Sequence, residues 1–141
     1  MALSMSEREQ FLAEPLVAAL SVVERPDRAP LTIPIWYQYE PGGELWVRTG
    51  PDSRKARAIR AAGRFSLMVQ RTGPTVRYVS VEGPVTRTVA DTRERAWEMA
   101  ARYLPQDAVA DFVEYERTYL GEHVVICMQP QHWLSADLGA G

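Results

Sequence analysis

The sequence predicts a mainly β protein, a small six-stranded β-barrel with peripheral helices, and three observations favour this fold class. Six apolar or β-branched segments of strand length are separated by short connections, several of them rich in proline and glycine. Helical patterns occur only at the amino terminus, between the third and fourth strands, and in an insertion before the last strand. Because 141 residues suffice for one core, we expect a single domain over residues 1–141.

Composition and charge narrow the classes of function. The net charge of −2 argues against broad binding to nucleic acid or to anionic membranes, so any basic function must be local. The single cysteine, Cys127, excludes an internal disulfide framework, and its apolar surroundings predict a buried structural thiol. No apolar run approaches the ~20 residues of a membrane span, and the early charges at Glu7 and Arg8 do not suit a secretory signal. We therefore expect a cytoplasmic protein.

The first elements follow from caps and strand patterns. Ser6 and Glu9 have the spacing of a capping box, which predicts a short helix from about Ser6 to Ala13. The apolar run Leu16–Glu24 is the first predicted strand, and Leu31–Tyr39 is the second. Pro34 lies within the second strand and cannot donate a ladder hydrogen bond, so this strand must be an edge or be bulged there.

Turn residues delimit the middle of the chain. The Pro-Gly-Gly-Glu turn that begins at Pro41 predicts a hairpin onto the third strand, Leu45–Thr49. A helix over Ser53–Ala62 follows, with Gly63 just beyond its end. The fourth strand is Phe65–Arg71. The fifth strand runs from residue 76 to residue 89, and its internal Gly-Pro pair at residues 83–84 predicts a bulge or a bend, as at a barrel corner.

The last third of the chain combines helices with one more strand. Asp91 or Thr92 is expected to cap a helix that ends before the proline at position 105, and a second amphipathic helix begins at Asp107. The sixth and last predicted strand is Glu122–Gln129. The remaining segment, Pro130–Leu138, is predicted to be an irregular tail.

The helix after the third strand has an unusual charge pattern. Asp52 or Ser53 can cap it, yet Arg54 and Lys55 follow in the first turn, where the helix dipole is already positive. Lys55 is also the only lysine among 16 basic residues. A helix start with hydroxyls, free N–H groups and two cations is unfavourable alone but suits a phosphate. We interpret Thr49, Ser53, Arg54 and Lys55 as a phosphate site.

Other features of this region have plainer interpretations. Arg57, Arg60 and Arg64 continue the basic pattern, and we expect them to face water. The segment Pro34-Ile35-Trp36 interrupts a strand, so a flat polar heterocycle can take its unpaired backbone groups. The alternative is an edge strand whose aromatic residue fills the core, and the residues alone leave both readings open.

The sequence contains no recognisable set of catalytic or metal-binding residues. His123 and His132 lack companions at metal-ligand spacing, so no metal site is predicted. Neither a Ser-His-acid pattern nor a glycine-rich phosphate loop is evident. This pattern fits an enzyme whose chemistry belongs to a bound cofactor, with the protein supplying binding and orientation.

Four segments in order resemble one known family. They are Pro34-Ile35-Trp36, Leu45-Trp46-Val47-Arg48-Thr49-Gly50, Ser53-Arg54-Lys55-Ala56-Arg57 and Arg77-Tyr78-Val79-Ser80-Val81-Glu82-Gly83. Together they resemble the pyridoxamine 5′-phosphate oxidase-like flavin and deazaflavin oxidoreductases, over about residues 16–133. That family implies a split β-barrel, a homodimer with cofactor sites at the subunit interface, and either FMN or the deazaflavin coenzyme F420 as cofactor.

The resemblance also implies roles for particular residues. Thr49, Ser53, Arg54 and Lys55 match the family's phosphate-binding element, and Pro34-Ile35-Trp36 matches the strand that lies against the ring. Three further positions are implied to approach the cofactor, the last two from the partner subunit: Gln70, Tyr78 and Trp133. Residues that recognise substrate in true pyridoxamine phosphate oxidases are not evident.

Three functional hypotheses follow, in order of preference. The first is a reductase that passes a hydride from reduced F420 to a small conjugated organic acceptor. The second is an FMN-dependent oxidoreductase with the same fold and site. The third is a protein that binds a flavin, haem or another planar ligand without turnover. No catalytic side chain stands out in the sequence, and a nucleic-acid or membrane partner is not expected.

Overall fold

An antiparallel sheet of eight strands curls into a half-barrel. The structure, a computed structural model, describes residues 1–139. Seven strands follow the order β2-β1-β5-β6-β7-β4-β3, and β8 pairs with β6. The strands are β1 (Ala18–Val22), β2 (Leu31–Ile35), β3 (Tyr37–Tyr39), β4 (Leu45–Thr49), β5 (Arg64–Arg71), β6 (Arg77–Ala90), β7 (Val124–Met128) and β8 (His132–Asp137). The prediction of a mainly β split barrel with peripheral helices is confirmed.

The predicted number of strands, six, is wrong for two reasons. The segment Leu31–Tyr39 divides at Trp36, because β2 pairs with β1 at one end of the sheet whereas β3 pairs with β4 at the other. The predicted irregular tail contains β8, which pairs with β6 from Arg77 to Glu82. The tail is therefore ordered by a partner strand 50 to 60 residues earlier in the chain rather than by its own turn-rich sequence.

Both predicted irregularities of the sheet are present. Pro34 lies in β2, an end strand of the sheet, opposite Ala19 of β1. The long strand β6 pairs with β5 as far as Pro84 and with β7 from Val85, with a register shift between Val85 and Arg87. A Cβ atom on Gly83 would lie 1.9 Å from the carbonyl oxygen of Gln129, so glycine permits this close crossing of two backbones.

Within residues 1–139, four α-helices lie around the half-barrel. They are α1 (Met5–Leu12), α2 (Arg54–Ala62), α3 (Arg93–Tyr103) and α4 (Gln106–Tyr115), and a π-helical turn over Glu116–Leu120 follows α4. The capping box of α1 consists of Ser4 and Glu7 rather than the expected Ser6 and Glu9, because the helix begins earlier than predicted. Thr92 caps α3, as one of the two expected residues.

The main core fills the concave side of the sheet. Tyr37 is fully buried there, and its hydroxyl donates to the carbonyl oxygen of Leu12 at 2.6 Å. A smaller cluster beneath α3 includes Trp46 and Cys127. Cys127 is buried as predicted, and burial raises the pKa of its thiol. Within residues 1–139 there is no helix with the length and apolar character needed to cross a membrane.

Candidate functional site

The end of β4 and the start of α2 are joined through two hydroxyls. Thr49 is the last residue of β4 and is only 4% exposed, and its Oγ1 lies 2.8 Å from Oγ of Ser53. Ser53 is the N-cap of α2, and its Oγ accepts a hydrogen bond from the Ala56 N–H at 3.2 Å. Gly63 ends the helix in the left-handed conformation, with φ of 75°. Local signals thus set both ends of α2 as predicted.

Arg54, in the first turn of α2, is bound to a carboxylate within the chain. Its Nε and Nη2 atoms donate to the two carboxylate oxygens of Glu24 at 2.8 and 2.7 Å. The hydrogen bond from Arg54 lowers the pKa of Glu24, and the same bond raises the pKa of Arg54. Guanidinium groups bind carboxylates and phosphates in this bidentate geometry.

The remaining basic residues of α2 and of the start of β5 differ in exposure. Lys55 is half-buried, and among the ion pairs formed by residues 1–139 none involves its ammonium group. Arg57, Arg60 and Arg64 are exposed. Arg60 reaches back to donate to the carbonyl oxygen of Pro51 at 2.9 Å, so a second guanidinium lies at the turn that precedes the helix.

A cleft on the outer face of the sheet brings Pro34 and Gln70 together. It has a volume of about 340 Å³. Its lining residues are uncharged: Val17, Ala18, Ala19, Thr32, Ile33, Pro34, Met68 and Gln70. This lining offers apolar contact and a few polar atoms, which suits the flat face of a ring system.

The neighbours of Pro34 do not line this cleft with their side chains. Ile35 is 8% exposed and belongs to the main core. The indole of Trp36 stacks on Tyr103 with ring centres 4.6 Å apart and also contacts Phe112 at 5.4 Å. Neither residue lines the cleft, and the partly exposed Trp36 packs against α3 and α4.

The two residues implied to act from a partner subunit lie on opposite sides of the sheet. Tyr78 is opposite Gln70 in the pairing of β5 with β6, and both are on the outer face. Trp133 is opposite Val81, whose side chain is buried, and therefore faces the interior. The Trp133 ring packs edge-on against Tyr39 at 6.3 Å.

The cleft and the start of α2 lie at the two ends of β1. Ala19 is in the cleft, and Glu24, the partner of Arg54, follows five residues later. Five extended residues span at most about 18 Å. An elongated molecule that carries a ring at one end and a phosphate at the other is the kind of ligand that can contact both.

A buried cluster of charged residues lies on the other side of β4, and the sequence does not predict it. Arg48 donates to Asp91 at 2.7 Å and to Glu116 at 3.1 Å, and its side chain is 6% exposed. Burial opposes the charge, but hydrogen bonds to Asp91 and the charge of Glu116 raise the pKa of Arg48. His123 Nε2 lies 3.9 Å from Glu116. The partners of Arg48 are 43 and 68 residues away in the chain, so no local pattern marks them.

This cluster lines a cavity of about 410 Å³ between the half-barrel and the helices. In the part of the chain that the structure describes, no group of three or more His, Cys, Asp or Glu side chains is arranged to hold a metal ion. The cluster ties β4 to the residue that follows β6 and to the π-helical turn, and thereby links the helical insertion to the half-barrel.

The curled antiparallel sheet, with one helix inserted after β4, defines a split-barrel protein. The chain belongs to the pyridoxamine 5′-phosphate oxidase family, whose model matches residues 5–136. No curated protein sequence matches the chain significantly. The family predicted from the four sequence segments is therefore confirmed over nearly the whole length.

Solved structures with the same fold include flavin-type proteins. An F420 reductase is 25% identical, with a TM-score of 0.69 over 89% of this chain and 94% of the other. A conserved hypothetical protein from Mycobacterium tuberculosis is 23% identical, with a TM-score of 0.72 over 97% and 86% of the two chains. A FAD-binding protein from Mesorhizobium loti is 17% identical, with a TM-score of 0.71 over 99% and 98%.

Proposed function

We propose that the protein is an oxidoreductase that uses reduced coenzyme F420 to reduce a small conjugated organic acceptor. The observation that carries this proposal is the pairing of an oxyanion-binding helix start with an uncharged cleft at the far end of β1. The similarity to an F420 reductase supports the choice of the deazaflavin. Membership of the family supports a flavin-type cofactor in general.

The residues at the start of α2 fit a phosphate. Arg54 already holds an oxyanion, the Glu24 carboxylate, in two parallel hydrogen bonds. The Ser53 oxygen accepts from Ala56, and when Thr49 donates to it as well, the Ser53 proton is free to donate to an anion. Lys55 adds a cation on the same turn. Thr49 is almost completely buried, so its proposed part is to orient Ser53.

The ring would lie in the uncharged cleft beside β2. A bound deazaflavin supplies the hydride chemistry, and the protein binds it, orients it and excludes water. Pro34 leaves the outer edge of β2 without one N–H group, and neighbouring backbone groups can hydrogen-bond to a polar heterocycle. The cleft is lined by no acid or base, so we propose that the proton for the acceptor comes from solvent.

We also propose a homodimer, in which the outer face of β5, β6 and β8 meets a second copy. Adjacent residues of this face are uncharged and partly apolar: Met68, Gln70, Tyr78, Ser80, Leu134 and Ala136. Leu134 is 65% exposed. Gln70 belongs both to this face and to the cleft, so a second copy packed here would border the proposed ring site. A cytoplasmic location stays a prediction.

FMN in the same site is the second candidate. F420 and FMN both have a phosphate and a flavin-type ring, so the groups proposed to bind these parts suit either cofactor. The FAD-binding protein shows that the fold also hosts flavins. A third reading, a protein that holds a flavin or haem without turnover, predicts tight binding with no oxidation of reduced cofactor by any acceptor.

A spectroscopic titration tests the proposal. The spectrum of the purified protein is recorded first. The protein is then titrated separately with F420 and with FMN, and binding is followed by fluorescence. Saturable F420 binding that is tighter than FMN binding, followed by acceptor-dependent oxidation of reduced F420, is expected. Tighter binding of FMN would replace the first candidate with the second, and no binding of either cofactor would reject both.

A further inference from the structure

The ion pair between Glu24 and Arg54 lies directly on the proposed phosphate site. Glu24 follows β1 by two residues, and its carboxylate takes both of the parallel donors that Arg54 offers. A phosphate that uses the same guanidinium edge needs those donors. Carboxylate and phosphate thus compete for one group.

We propose that Glu24 is an affinity-determining residue, a competitor that the cofactor phosphate must displace from Arg54. This inference rests on the proposed function, because it takes the start of α2 as the phosphate site. Glu24 lowers the affinity for any phosphate-bearing cofactor, and it leaves the affinity for a cofactor without phosphate unchanged.

The surroundings of Glu24 make the displacement feasible. The Arg54 side chain is 61% exposed and that of Glu24 is 24% exposed, so neither is locked in the core. Arg25 and Arg28 in the following loop also act on the Glu24 carboxylate and help to lower its pKa. A displaced Glu24 therefore remains close to other cations, which reduces the cost of releasing Arg54.

The opposite role for Glu24 makes an opposite prediction. If the carboxylate served to orient Arg54 toward the phosphate, removing its charge would weaken cofactor binding. Competition instead predicts that Glu24→Gln tightens binding by about two- to fivefold, the usual strength of an exposed ion pair. The sign of the change therefore separates the two roles.

The test measures dissociation constants by fluorescence titration for the wild type, Glu24→Gln, Arg54→Ala and the double variant. The probes are F420 and FMN, which carry phosphate, and riboflavin, which does not. Glu114→Gln is a matched control, because Glu114 of α4 forms a similar exposed pair at 2.6 Å with Arg117 of the π-helical turn. Circular dichroism verifies that each variant folds.

We expect Glu24→Gln to tighten the binding of the phosphate cofactor, with no change in the Glu114→Gln control or in the Arg54→Ala background. Weaker or unchanged binding overturns the inference, as does an equal gain with riboflavin or a gain that persists without Arg54. If Glu24→Gln leaves the affinity unchanged while Arg54→Ala abolishes binding, the inference about Glu24 is rejected and the proposed function stands. Absence of binding in every variant rejects the proposed function with it.

Discussion

Thr49 Oγ1 lies 2.8 Å from Ser53 Oγ, and this contact joins the last residue of β4 to the residue that caps α2. Thr49 is 4% exposed, so the contact is shielded from water on the β4 side. The turn between them is short, and the paired hydroxyls fix the direction in which α2 leaves the sheet. The position of the first turn of α2, and of its cations, depends on this bond.

Replacing Thr49 with valine tests that dependence. Valine keeps the shape but removes the hydroxyl, so we expect the free energy of unfolding to fall by about 1 kcal/mol. Cofactor affinity should fall as well, because Ser53 loses the partner that orients it. Urea unfolding and fluorescence titration measure the two effects, with the exposed Thr72→Val variant as the control. Unchanged stability would show that the contact contributes nothing.

The cations of α2 are tested by the double variant Arg54→Ala and Lys55→Ala. We expect cofactor binding to be abolished while the circular dichroism spectrum and the unfolding midpoint remain close to those of the wild type, because both side chains are at the surface or half-buried. Arg57→Ala, an exposed arginine on the same helix, is the matched control and should bind normally. Wild-type affinity in the double variant would exclude this phosphate site.

Arg48→Met should be far more destabilising than the loss of an exposed arginine on α2. It leaves the carboxylates of Asp91 and Glu116, each with a side chain 12% exposed, without their cation. Breaking a buried pair in this way typically costs about 3–5 kcal/mol. Chemical denaturation measures the loss, with Arg57→Met as the exposed control. A loss below 1 kcal/mol would mean that water replaces the guanidinium at little cost.

The lowered pKa of Asp137 predicts how the stability of the protein changes in acid. Hydrogen bonds from Thr75 and Gly139, together with Arg77, lower the pKa of this carboxyl from 3.8 to about 2. Since the folded pKa is the lower one, its stabilising contribution is present above about pH 4 and is lost as the pH falls through about 2.

The variant Asp137→Asn lacks this contribution at every pH. We therefore expect the difference in melting temperature between wild type and variant to shrink between pH 4 and pH 2. Asp111→Asn, on the exposed side of α4, is the control. A difference that stays constant across this window would contradict the assignment.

The proposed dimer face is tested by Leu134→Asp. A charge in the centre of an apolar contact is costly to bury, so we expect the variant to sediment as a monomer where the wild type sediments as a dimer. Leu120→Asp changes an equally apolar and 54% exposed residue away from this face and should leave the dimer intact. A monomeric wild type would reject the proposal directly.

The sequence predicts best those features that are determined by neighbouring residues. Ser53 and Gly63 mark the two ends of α2 because capping and the left-handed conformation depend on single residues. Pro34 marks an edge strand because it lacks a donor. The family resemblance extends this success to the whole fold, because it rests on four segments in order rather than on any one pattern.

Features that depend on distant partners could not be predicted from the sequence. The segment that contains β8 begins with Pro130 and polar residues, and its pairing with the distant strand β6 makes it a strand. Glu24 and Arg54 are 30 residues apart, so no local pattern predicts that the Arg54 guanidinium is bound to the Glu24 carboxylate. The inward direction of Trp133 likewise depends on its register opposite Val81.

Arg48 and Thr49 are consecutive residues that bind different parts of the protein. Arg48 binds the carboxylates of Asp91 and Glu116, and Thr49 is hydrogen-bonded to Ser53, the N-cap of α2. Sequence changes in the helical insertion and at the start of α2 therefore meet at a single peptide unit. A shift of β4 that alters the cavity beside α3 and α4 would therefore also move the residue that caps α2.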